Sequence, residues 1–146
     1  PHVMQVINSP FYADCLHTIK KPFGEFFIFP DFVIGEISEG VHYNWDLAIE
    51  VIEEVYEYFG SRDIDVTYIS NRIHSYSLHP QDWIKFFKNN HYINGFGIVT
   101  YNKITFKNVL IEKLFFTSNL RQFETLEAAI DWALSLSSRN KRRKKG

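Results

Sequence analysis

The chain has 146 residues, of which 45% are hydrophobic and 23% charged, with a formal net charge of −1. That length predicts one domain with a core large enough to stand without disulfides or metal, and the composition excludes a disordered or fibrous chain. No apolar run approaches the roughly 18 residues of a membrane span.

The near-neutral total hides an asymmetry. Residues 139–146 hold six of the 16 Lys and Arg, leaving 10 positive against 17 negative charges in the remainder. The expectation is a single domain over 1–138 followed by a disordered basic tail at 139–146. An acidic body argues against specific nucleic-acid binding through the folded face. The single Cys15 has no internal disulfide partner, and Pro1-His2-Val3-Met4 shows neither region of a signal peptide, so a cytoplasmic protein is expected. With 14 Phe and 8 Tyr, some aromatics should reach the surface, where a cluster would mark a partner.

Asp14 to Lys20 alternates with a period of two and reads as an edge strand. Glu25 to Phe29 and Phe32 to Ile37 follow as a hairpin around the Pro30-Asp31 turn, and Gly35 inside the second run predicts a bulge or a close backbone approach. A helix is predicted from Asn44 to Phe59. Asn44 is the N-cap, Ala48, Val51, Ile52, Val55 and Phe59 form one apolar face, and Gly60 stops the helix. Its glutamates read as a solvated face. Val66 to Ser70 is a strand, Gln81 to Asn90 a helix with a Trp83, Ile84 and Phe87 stripe, and Phe96 to Thr100 a strand. That order is a βαβ unit, which requires parallel strands in a covered sheet. Ile104 to Phe116 fits neither period cleanly and is assigned mostly to helix. Leu120 to Phe123 is a short edge strand. Thr125 then caps a last helix with Leu126, Ala129, Ile130, Ala133 and Leu134 facing inward. Val51, Val55, Val66, Tyr68, Ile98 and Trp132 are expected inside.

The closing run Phe123-Glu124-Thr125-Leu126-Glu127-Ala128-Ala129-Ile130-Asp131-Trp132 resembles the final strand-to-helix signature of STAS-like domains. It is similar to the branch named for anti-sigma-factor antagonists, which closes with Phe, a Ser or Thr cap, Leu-Glu, an Ala and a Trp. The element order is similar over residues 14 to 136. The resemblance implies an α/β fold with a mixed four- or five-stranded sheet and helices mainly on one face. It also implies a non-enzymatic regulatory or protein-interaction module whose partner is a protein, a second copy of the chain in a homodimer included. In that branch a serine inside an Asp-Ser-Ser-Gly run at the start of the second helix is phosphorylated. The matching region here, Asn71 to Pro80, offers Ser75 and Ser77 but neither the acidic residue nor the glycine.

The loop leaving the carboxyl end of the Val66 to Ser70 strand is the candidate site, because ligands and partners of parallel sheets are met there. Arg72, His74, Ser75, Tyr76, Ser77 and His79 are its partner- or anion-binding candidates, with Arg72, His74 and the amides opening the next helix as the anion cradle. His74, His79, Asp82 and His91 match no zinc spacing, so no metal is expected. Cys15-x-His17 has no acidic residue to complete a triad. Gly95-x-Gly97 lacks a third glycine and opens a strand, so it is no phosphate loop. No cofactor and no catalytic set is nominated. The alternative to a protein-interaction module is the binding of a small apolar or anionic ligand. STAS-like sheets resemble lipid-binding CRAL-TRIO domains in layout, and the phenylalanines could line an apolar pocket.

Overall fold

The computed structural model describes the backbone of residues 3–145 and the side chains within that span other than those at 103–107 and 140–145. Two short 3-10 turns, Val6–Asn8 and Pro10–Asp14, precede β1 (His17–Lys21), β2 (Gly24–Ile28) and β3 (Phe32–Ile37). A two-residue strand β4 (His42–Tyr43) leads into α1 (Trp45–Phe59). Then come β5 (Thr67–Asn71), a two-residue β6 (Ser77–Leu78), α2 (Asp82–Lys88), β7 (Phe96–Val99), α3 (Lys103–Glu112), β8 (Leu120–Phe123) and α4 (Leu126–Lys145).

Six strands form one mixed sheet in the order β1-β2-β3-β5-β7-β8. The first three are antiparallel hairpin neighbours, and β3, β5, β7 and β8 run parallel. The resemblance implied four or five strands. All six predicted strands join the sheet, because both short edge strands find a full ladder partner. The first strand begins three residues later than its alternation suggested, since Pro10 opens a 3-10 turn that runs to Asp14.

Period-two burial assigns the sheet two faces. Phe26, Ile28, Val33, Ile37, Phe96 and Ile98 point to one, where Val51 and Val55 of α1, Phe86 of α2, and Val109 of α3 cover them. Phe27, Phe29, Ile34, Ile69 and Val99 point to the other, covered by Leu126, Ala129, Ile130 and Ala133 of α4 and by Val6. Three helices thus share a face, and α4 lies alone on the reverse. Gly95 and Gly97 let α4 approach: a Cβ on Gly95 would come within 2.7 Å of the Trp132 ring.

The predicted caps are present. Asn44 accepts a hydrogen bond from the Leu47 amide, Thr125 accepts one from Ala128, and Gly60 ends α1 at φ 71°. Two side chains depart from the predicted faces. Ile84 is 54% exposed and Leu134 43%. In α2 the buried position is Phe86, so a helix of only seven residues turns its stripe onto Trp83, Phe86 and Phe87. The described backbone of α4 runs on through the basic segment to Lys145; Gly146 lies outside the described residues. Among the described residues no helix is long and apolar enough to cross a membrane.

Candidate functional site

The crossovers through α1 and α2 flank a half-open cavity of about 160 Å³ against the sheet. Its floor is Phe26, Val33, Tyr68 and Phe96, its roof Ala48, Val51, Ile52 and Val55 of α1, and its wall Trp83 and Phe86 of α2. Aromatic contacts stiffen the wall: Trp83 lies 4.7 Å from Phe96 and 4.8 Å from Phe116, and Tyr68 stacks on Phe96 at 5.6 Å. A second, two-stranded sheet closes one end. β4 and β6 pair in parallel, His42 with Ser77 and Tyr43 with Leu78. Alternation turns Tyr43 and Leu78 toward the cavity, while His42 and Ser77 stay outside, joined by a 2.7 Å hydrogen bond between Nδ1 and Oγ. The Ser75 amide donates to the Glu39 carboxylate at 2.5 Å, and the Gly40 amide donates to the Ser75 carbonyl at 2.8 Å. The 71–80 loop is therefore strapped across the sheet end.

One end of the cavity is polar. Ser70, Arg72, Tyr76 and Glu112 line it beside Tyr43 and Tyr68. Arg72 and Glu112 form a bidentate ion pair at 2.5 and 2.7 Å with side chains only 4% and 1% exposed. Arg72 Nε donates to the Ser70 hydroxyl, which lies 3.1 Å from the Tyr76 hydroxyl. Burial would lower the Arg72 pKa, but Tyr76 and Glu112 outweigh it and raise the pKa above its ordinary value. Burial, with smaller effects from neighbouring tyrosines, raises Tyr43 and Tyr68 above the ordinary value of 10. Both hydroxyls are protonated donors near neutral pH, and neither has a hydrogen-bond partner among the described residues. Gly35 explains the position of Tyr68. The predicted close approach is real, since a Cβ there would strike the Tyr68 hydroxyl and come within 3.0 Å of the Phe26 ring, while the register of β3 runs on without a bulge.

The six residues predicted to form the site divide. Arg72, His74, Ser75, Tyr76 and Ser77 line a second groove of about 420 Å³ together with Asn102, Asn108 and Ile111. His79 stands at the mouth of the cavity, 3.3 Å from Asp82, which also meets Lys85 at 3.5 Å. Arg72 is buried, and three of its five N–H donors go to Glu112 and Ser70. Nor does Ser77 open a helix, since it belongs to β6 and α2 begins five residues later. His91 is buried, bonded to the Tyr56 hydroxyl at 2.7 Å and stacked on its ring. Among the described residues no group of three or more His, Cys, Asp or Glu could hold a metal.

The sequence reading missed Glu112, Tyr43 and Ala48 as site residues. Glu112 carried a usable signal: it is the only acidic residue between Asp82 and Glu124, set in an apolar run, a pattern expected of a buried ion-pair partner.

No family model and no curated protein matches the sequence. Among solved structures the chain is similar to an uncharacterized protein of the DUF3478 family from Shewanella loihica PV-4, described as having a SpoIIAA-like fold. The TM-score is 0.48 and the identity 8%, covering 80% of this chain and 90% of that one.

Proposed function

We propose that the protein is a non-enzymatic binding module whose ligand is a small molecule held in the cavity between the sheet and α1 and α2. The observation that supports this reading is the pair of partly buried tyrosines, Tyr43 and Tyr68, whose phenol hydroxyls have no hydrogen-bond partner among the described residues and which line a largely apolar space. Two phenol donors in the lining of one largely apolar concavity suit a ligand that brings a hydrogen-bond acceptor. The test is mass spectrometry of small molecules released from protein purified without organic solvent. Wild type should release one at near-stoichiometric amount, and a folded Ala48→Phe variant, which fills the roof, should release little. Equal amounts from both, or none from either, would count against the reading.

A second reading keeps the 71–80 loop as a protein-interaction surface with regulatory use. It is favoured by Leu110, Ile111 and Leu114, which are 50%, 50% and 75% exposed and of which Ile111 borders the second groove. Sedimentation and affinity capture with Ile111→Asp and Leu114→Asp test it. A partner, or self-association into a homodimer, that is seen with wild type and lost in both variants supports it; capture that is unchanged removes it.

A further inference from the structure

We propose that the cavity selects an uncharged molecule of one-ring or two-fused-ring size carrying a single hydrogen-bond acceptor, of which a ketone or aldehyde carbonyl is the best match, docked beneath the Tyr43 and Tyr68 hydroxyls. This rests on the reading of the cavity as a ligand site and adds the chemical class.

Size sets the first limit. A volume of about 160 Å³ is close to that of an engineered apolar cavity of about 150 Å³ that takes benzene, and falls short of the roughly 300 Å³ at which drug-sized pockets begin. The space against the sheet therefore takes one or two fused rings, and a longer ligand would extend out of its open side.

Charge sets the second. The one cation at the polar end, Arg72, spends both terminal nitrogens on Glu112 and its Nε on Ser70. Arg72 and Glu112 cancel, and Tyr43, Tyr68, Tyr76 and Ser70 are neutral. A carboxylate or phosphate placed there would lose water with no free cation among the described residues to meet it, which is unfavourable. An ammonium would find no free carboxylate. At the mouth Asp82 is already shared by His79 and Lys85.

Hydrogen bonding sets the third. Tyr43 and Tyr68 both line the space with no acceptor for their phenols among the described residues, and Gly35 leaves the room in which the Tyr68 hydroxyl lies over β3. A carbonyl oxygen has two lone pairs and can accept from both. A hydrocarbon of the same shape leaves both donors unmet, so discrimination against it should be marked.

Isothermal titration with three probes of one shape decides this: acetophenone, benzoate and toluene at neutral pH, against wild type, Tyr68→Phe and Tyr43→Phe, each checked for folding by circular dichroism. Acetophenone should bind wild type at least about tenfold more tightly than toluene or benzoate, two hydrogen bonds each contributing about three- to tenfold. Each Phe variant should lose part of the preference over toluene while still binding toluene as wild type does. If benzoate binds as well as acetophenone, or if the preference survives both variants, the proposed ligand class is wrong although the cavity remains a binding site. If none of the probes enters the wild-type cavity, both the class and the cavity reading fail.

Discussion

Arg72 and Glu112 depend on each other. With side chains 4% and 1% exposed, neither charge could stay in place without its partner, and removing one leaves the other ionised in a medium that solvates it poorly. Arg72→Ala should therefore cost about 3–5 kcal/mol of stability, read from the urea midpoint, whereas replacing both residues by Met and Leu should recover most of the loss. If the single and double variants unfold at the same urea concentration, the pair is not coupled in the way described. Glu36 is the second buried acid. Its carboxylate accepts from the Val6 amide at 2.9 Å and from Asn71 at 2.8 Å, clamping the N-terminal segment onto the α4 face. Burial nonetheless raises its pKa above the ordinary 4.5, the two hydrogen bonds only partly opposing this. A raised folded-state pKa means that the folded protein holds this proton more tightly than the unfolded chain. The contribution is thus fully present below about pH 4.5 and is lost as pH rises through the raised value. Glu36→Gln should abolish that component of the pH dependence. A variant whose stability falls with pH across the same window as wild type would refute the assignment.

At the level of elements, α1 was legible because its cap, its 3.6-residue apolar stripe and its terminal glycine all agree, and Val51 and Val55 are buried as predicted. Val55→Ala should lower stability by about 1–3 kcal/mol through lost methyls and the void left behind. Ile84 lies on the open side of α2, so Ile84→Ser should change stability by no more than about 0.5 kcal/mol. A large loss at Ile84, or none at Val55, in thermal denaturation would reverse these assignments. The β4–β6 strap was not legible. Two-residue strands carry no periodic signal, and their pairing joins His42 to Ser77 across 35 positions. For the same reason the loop read as an exposed polar surface: nothing local in Asn71 to Pro80 tells that Arg72 turns inward to a glutamate 40 residues further on.

On the scale of the whole molecule, the order of strands and helices followed from periodicity, and parallel pairing followed from the βαβ spacing. The same topology puts the 71–80 loop at the carboxyl end of β5. What topology alone could not supply was which of two neighbouring concavities is the more finished, the groove outside the strap or the apolar cavity beneath it. That depends on Ala48, Gly35 and Tyr43, residues whose meaning appears only once α1 is laid on the sheet. The basic run beyond residue 138 lies past Ser137, the last buried position of α4 among the described residues, so a chain ending at Ser138 should keep its melting temperature nearly unchanged. The most direct measurement of the central claim is amide and methyl chemical-shift mapping during titration with acetophenone. The account predicts saturable shifts concentrated at Ala48, Val51, Val55, Tyr68 and Phe96, with little change at His74, Ser75 and Asn108. Shifts confined to those groove residues, or none that saturate, would contradict it.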